Sequence, residues 1–203
     1  MKRILYLLAS AAAIMVLNAN IIMAESSGNS FTRGFERHLQ GDLQSAVIWY
    51  SKAIDENSEH AMAYQMRGIA QQQLKKYPDA INDYTLVITT GDPSFKVVGY
   101  YNRGVVKNMT GDFAGAIYDF SQTINLDKKM AAAFFHRGIS KSKIGDLAGR
   151  FEDFRQAAHL GEYNAEKWLN TYYPEWKLPR PVPSNPLPPT VAPVSAAPTA
   201  SPS

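Results

Sequence analysis

The residues in this chain best suited to chemistry recur at a fixed interval. Arg67 and Asp83, Arg103 and Asp119, and Arg137 and Asp153 repeat the same spacing, while Arg33 has Trp49 at the matching place. A guanidinium and a carboxylate at a constant offset suggest an ion pair linking two packed elements, and such pairs specify geometry more than they stabilise. Reactive constellations are sparse. Ser140 and Lys143 have the S-x-x-K spacing of serine–lysine hydrolases, yet no S-D-N or K-T-G follows them. His38, His60, His136 and His159 form no H-x-x-x-H pair and have no cysteine partners, which argues against a metal site. Asn108-Met109-Thr110 matches a glycosylation acceptor but falls within a helical pattern. No cofactor motif is present, so no catalytic, cofactor or metal residue is assigned.

The elements that place these residues follow from a repeat. Arg-Gly stands at Arg33-Gly34, Arg67-Gly68, Arg103-Gly104 and Arg137-Gly138, with the glycines 34, 36 and 34 residues apart. A period of this length signals stacked helical hairpins. With Arg-Gly at positions 7 and 8, the repeats run 27–60, 61–96, 97–130 and 131–164. Gly41-Asp42, Gly111-Asp112 and Gly145-Asp146 then coincide at positions 15 and 16, glycine to end one helix and aspartate to cap the next; repeat two has Lys75-Lys76 there. Apolar residues in each second helix, such as Phe113, Ala116, Phe120 and Ile124, keep helical spacing. The small residues Gly34 and Ala46, Gly68 and Ala80, and Gly104 and Ala116 are expected to face each other at a close crossing. Arg150 replaces that alanine in repeat four, which predicts a splayed last hairpin with Arg150 reaching to solvent.

These residues resemble the tetratricopeptide repeat family. The pattern is a large residue at position 4 (Tyr64, Tyr100, Phe134), glycine at 8, alanine at 20 and an aromatic at 24 (Tyr50, Tyr84, Phe120, Phe154). The resemblance covers residues 27 to about 164 and departs at Ser30, Arg150, Val87 and Thr123. It implies an all-α, right-handed α-solenoid of four hairpins. A C-terminal capping helix over 164–173 follows, started by Asn164 and covering the last hairpin with Trp168, Leu169 and Tyr172. The family's concave groove is lined by positions 2, 5, 9 and 12 of the first helices. Carried over, these are Phe31, Phe35 and His38; Met62, Gln65, Ile69 and Gln72; Val98, Tyr101, Val105 and Asn108; and Phe135, Ile139 and Ser142, with Gly28 and Ala132 beside them. The family's carboxylate clamp needs Lys and Asn where Phe31 and Phe35 stand, so that mode is not expected. An apolar groove for a peptide or protein segment is. At position 9, helical spacing alone does not separate groove from core.

The ends of the chain read differently. Residues 1–24 carry Lys2 and Arg3, an apolar run from Ile4 to Leu17 and Ala24 before polar Glu25, the order of a cleaved signal peptide. Export to the periplasm or medium is expected; an uncleaved membrane anchor is the alternative. The chain has no cysteine, which excludes a lipoprotein, disulfides and thiol chemistry. Residues 25–176 form the repeat domain, and 177–203, with nine prolines and no aromatic residue, a disordered Pro-rich tail. Without Lys2 and Arg3 the chain has 19 basic against 18 acidic residues, so no nucleic-acid footprint remains and a membrane is met only through an uncleaved leader. The sum is a non-enzymatic interaction scaffold of the cell envelope with an unidentified protein partner; a hydrolase built on Ser140 and Lys143 is the distant alternative.

Overall fold

The computed structural model describes residues 29–178. The expected signal peptide, Gly28 and all of the tail beyond Leu178 lie outside the described residues. Four hairpins follow in order: α1 (residues 29–39) with α2 (Leu43–Glu56), α3 (Ala61–Gln73) with α4 (Tyr77–Thr90), α5 (Pro93–Thr110) with α6 (Phe113–Leu126), and α7 (Ala131–Lys143) with α8 (Leu147–His159). The last helix, α9 (Tyr163–Tyr172), packs on α8. No strand occurs among the described residues.

The Gly-Asp turns behave as their chemistry requires. Gly111 has φ 87°, and the Asp112 carboxylate accepts from Gly115 N–H at 2.9 Å to start α6. Gly41-Asp42 and Gly145-Asp146 repeat this arrangement. In repeat two Lys75 takes the left-handed turn at φ 60° and Lys76 caps without a side-chain bond. The helix α5 begins at Pro93, ahead of Val97, because Asp92 accepts from Ser94 and Phe95 N–H and proline suits a first helical position.

The core sits inside and between hairpins. Ala46, Ala80 and Ala116 are fully buried, as are Tyr50, Tyr84 and Phe120. The close crossing differs in register from the expected glycine–alanine pairing. A Cβ on Gly104 would lie 3.0 Å from Phe120 Cε1, and one on Gly34 2.6 Å from Tyr50 Cδ1, so position 8 is kept bare by the aromatic ring at position 24. A helical residue leans toward its own N-terminus, which brings that ring level with the glycine.

Two further expectations are corrected at the C-terminal end. The last hairpin is not splayed: Gly138 packs on Phe154 as tightly as its counterparts do, with a Cβ distance of 2.7 Å. Nor does Arg150 simply extend into solvent; it is half-buried, its guanidinium carbon lies 4.7 Å from the Trp168 ring centroid and Nη1 donates to Ser142 Oγ at 3.2 Å. The indole offers a surface that a bare helix end would lack. Glu162, not Asn164, starts α9 by accepting from Ala165 N–H, and Asn164 bonds Glu162 Oε1 from inside the first turn. Ala165, Leu169 and Trp176 are buried against Phe151, Phe154, Ala157 and Ala158. Tyr172 stays 56% exposed, so Trp176 rather than Tyr172 completes the cover.

Candidate functional site

Every Arg–Asp pair forms, and each does more than join two helices. Arg103 donates from Nε and Nη2 to both oxygens of Asp119 at 2.9 and 2.8 Å, and from Nη1 to Thr85 Oγ1 of the preceding hairpin at 2.9 Å. Arg67 does the same with Asp83 and Ser51, and Arg137 with Asp153 and Ser121. The aspartates are buried, and Lys107 and Lys141 add a second cation to Asp119 and Asp153, each at 2.9 Å. Each guanidinium also lies over the aromatic residue at position 4, with distances of 5.5 to 5.6 Å for Tyr64, Tyr100 and Phe134. Arg33 rests on Trp49 at 4.8 Å instead. Sequence reasoning found the pair but missed the hydroxyl at position 25, although Ser51, Thr85 and Ser121 stand there at the repeat spacing.

The first-helix face carries the residues assigned to a groove. Phe35 is 42% and Met62 38% exposed, the most open of the set. Ile69, Val98, Val105, Asn108 and Ile139 are half-buried, so position 9 serves partly as core and partly as surface. Phe31 stacks on His60 at 5.0 Å and Phe135 on Phe154 at 5.2 Å. Tyr101 packs 5.9 Å from Phe120 and 5.8 Å from His136; burial raises its phenol pKa. Gln65 holds a buried Oε1 with no bond. Position 12 forms a polar margin, where Tyr84 OH donates to Gln72 Oε1 at 3.0 Å and Tyr50 OH meets His38 Nδ1 at 3.5 Å.

His136, at position 6, was weighed in the sequence only as a metal ligand, and its ring-lined setting was missed. Phe120 stacks on it at 5.8 Å, Phe135 and Tyr101 meet its edge, and desolvation lowers its pKa against the opposing charge of Glu162. A second missed feature is the cleft of about 220 Å³ between repeat four and α9, lined by Phe135, Ile139, Ser142, Lys143, Arg150 and Trp168 among others. Ser140 is fully buried and its hydroxyl donates to the His136 carbonyl at 3.0 Å, so it does not present a nucleophile. Among the described residues no three His, Cys, Asp or Glu side chains gather as metal ligands, and no helix is long and apolar enough to cross a membrane.

Antiparallel hairpins repeated at about 34 residues, crossing at glycine against an aromatic ring, define a tetratricopeptide-type α-solenoid. Known proteins of this fold bear that out. The chain superposes on MamA with a TM-score of 0.65 at 17% identity, covering 79% of this chain and 100% of MamA. A tetratricopeptide repeat protein from Parabacteroides merdae gives a TM-score of 0.62 at 19% identity, over 71% of this chain and 58% of that one. In sequence, 85 residues are 29% identical to serine/threonine-protein phosphatase 5 of Homo sapiens, 42% of this chain but only 17% of the phosphatase. No family model matches. These likenesses establish the fold.

Proposed function

We propose that this protein is a non-enzymatic adaptor of the cell envelope that holds an extended or helical protein segment along its first-helix face. The observation that carries the reading is the row of partly open apolar side chains, Phe35, Met62, Ile69, Val105, Tyr101 and Ile139, held by hairpins whose interiors are otherwise closed. Such a row suits apolar anchors, each contributing roughly 1.5–3 kcal/mol on burial. Ordering the segment offsets much of that, so affinities near micromolar are expected. Export rests on the leader-like order of residues 1–24, and sequencing the mature N-terminus separates a cleaved from a tethered form.

Selection of a displayed peptide library on residues 25–203 tests the groove. Phe35→Ala and Tyr101→Ala are expected to weaken the selected peptides by about 10-fold or more while helical content stays unchanged. Selected peptides that bind both variants as well as the parent would overturn the assignment of this face.

A further inference from the structure

We infer that the cleft between repeat four and α9 selects an acidic side chain on the bound segment, with Arg150 as the cation that recognises it. This rests on the groove reading and extends it, because Phe135, Ile139 and Ser142 belong both to the groove row and to the cleft.

The arginines that sit between the helices of a hairpin are matched with buried acids. The half-buried Arg67, Arg103 and Arg137 each meet an aspartate at 2.7 to 2.8 Å, and Lys107 and Lys141 share two of those aspartates. Arg150 breaks the pattern. It stands where repeats one to three have a fully buried alanine, and its guanidinium is drawn inward onto Trp168. Its Nη1 finds only the neutral Ser142 hydroxyl, and its Nε is buried without any partner. Among the described residues no carboxylate forms an ion pair with Arg150 or with Lys143, which lines the same cleft. The acids nearest in sequence are engaged elsewhere: Asp153 by Arg137 and Lys141, Glu152 by Arg155, and Asp146 by Gly149 N–H at the start of α8. Glu162 is engaged by Ala165 N–H and the Asn164 amide at the start of α9.

A guanidinium stripped of part of its water, stacked on an indole and short of an acceptor, is set up to take a carboxylate. The rings and Ile139 around it would hold an apolar neighbour of that carboxylate. The occupant is therefore a partner segment with Asp or Glu next to a large apolar residue. Residues 179–203 of this chain contain neither Asp nor Glu, so charge does not favour the chain's own tail.

The library selection described above, run on residues 25–203 and on their Arg150→Ala variant, decides the matter. Alanine is the residue the other three repeats use at this position, so the variant is expected to fold. Selected peptides should carry Asp or Glu within two residues of an apolar anchor. Replacing that acid by its amide should weaken binding to the parent about 10-fold, and added salt should reduce the difference. On Arg150→Ala, acid and amide peptides should bind alike. Equal binding of acid and amide by the parent, or discrimination that survives in Arg150→Ala, overturns the inference while leaving the groove intact. A library that yields no binder to the parent overturns the groove, and this inference with it.

Discussion

His136 shows how a single residue is made pH-sensitive by its neighbours. Tyr101, Phe120 and Phe135 surround its ring and Glu162 is the acid that faces it; burial keeps the pKa below the ordinary 6.5 despite that acid. The folded state therefore holds His136 neutral, whereas the unfolded chain takes up a proton near 6.5. The contribution is fully present above that value and is lost as pH falls from it toward the depressed folded value. His60, also lowered mainly by desolvation, acts with the same sign. The urea midpoint is expected to be lower at pH 5.0 than at pH 7.5, and His136→Leu should flatten this difference; a difference as large in the variant would remove His136 as its source. No periodic feature marks this histidine in the sequence. Its setting is made by rings from three helices, which a one-dimensional pattern does not bring together. Arg67, Arg103 and Arg137 were legible for the opposite reason, since their aspartates recur at one offset.

At the level of elements, the sequence was clearest where backbone stereochemistry leaves little choice. Gly111 and Gly145 were readable as helix ends because positive φ is open to glycine, and Asp112 and Asp146 as caps because a short carboxylate reaches the next helix's free N–H. Repeat two does without both, and Lys75 sits at φ 60° with Lys76 as an uncapped start. A left-handed lysine costs about 1–2 kcal/mol, partly offset by the greater freedom glycine would have when unfolded. Lys75→Gly is therefore expected to raise stability by roughly 0.5–1 kcal/mol in urea titration. A loss of stability would mean that this turn relies on Lys75 for something other than its backbone. Boundaries fixed by competing caps were harder to read. Glu162 and Asn164 are both able to start α9, and the choice follows from where Gly161, at φ 90°, leaves the chain after α8. Arg150 misled because its partner, Trp168, belongs to an element outside the repeat.

The whole molecule is joined by one device used three times. Ser51, Thr85 and Ser121 each take a bond from the arginine of the next hairpin, whose other bonds hold its own aspartate. Repeat four has Arg155 at that position, paired with Glu152, and there the series gives way to α9. The period made the number of hairpins plain from the sequence. The face that stays open was not plain, because helical spacing marks Ile69 and Val105 as apolar whether they meet a partner or a neighbouring helix. In a linear array, stability is the sum of what each repeat contributes and what each junction contributes, and cooperativity depends on the junctions. The interlock divides those two along named bonds. Asp119→Ala strikes within a repeat, leaving Arg103 and Lys107 without their buried counter-charge at a cost of about 3–5 kcal/mol. Ser51→Ala, Thr85→Val and Ser121→Ala together strike chiefly the junctions, removing one hydrogen bond to a charged group at each, about 1.5–3 kcal/mol apiece, along with the bonds that Thr85 and Ser121 donate to the Ile81 and Ile117 carbonyls of their own helices. The triple variant is expected to unfold over a broader urea range with a smaller m-value, whereas Asp119→Ala should shift the transition to lower urea. Sharp two-state unfolding of the triple variant, with the parent's m-value, would mean that apolar packing between hairpins, such as that of Ile54 and Tyr64 with Val87, couples the repeats without help from the arginines.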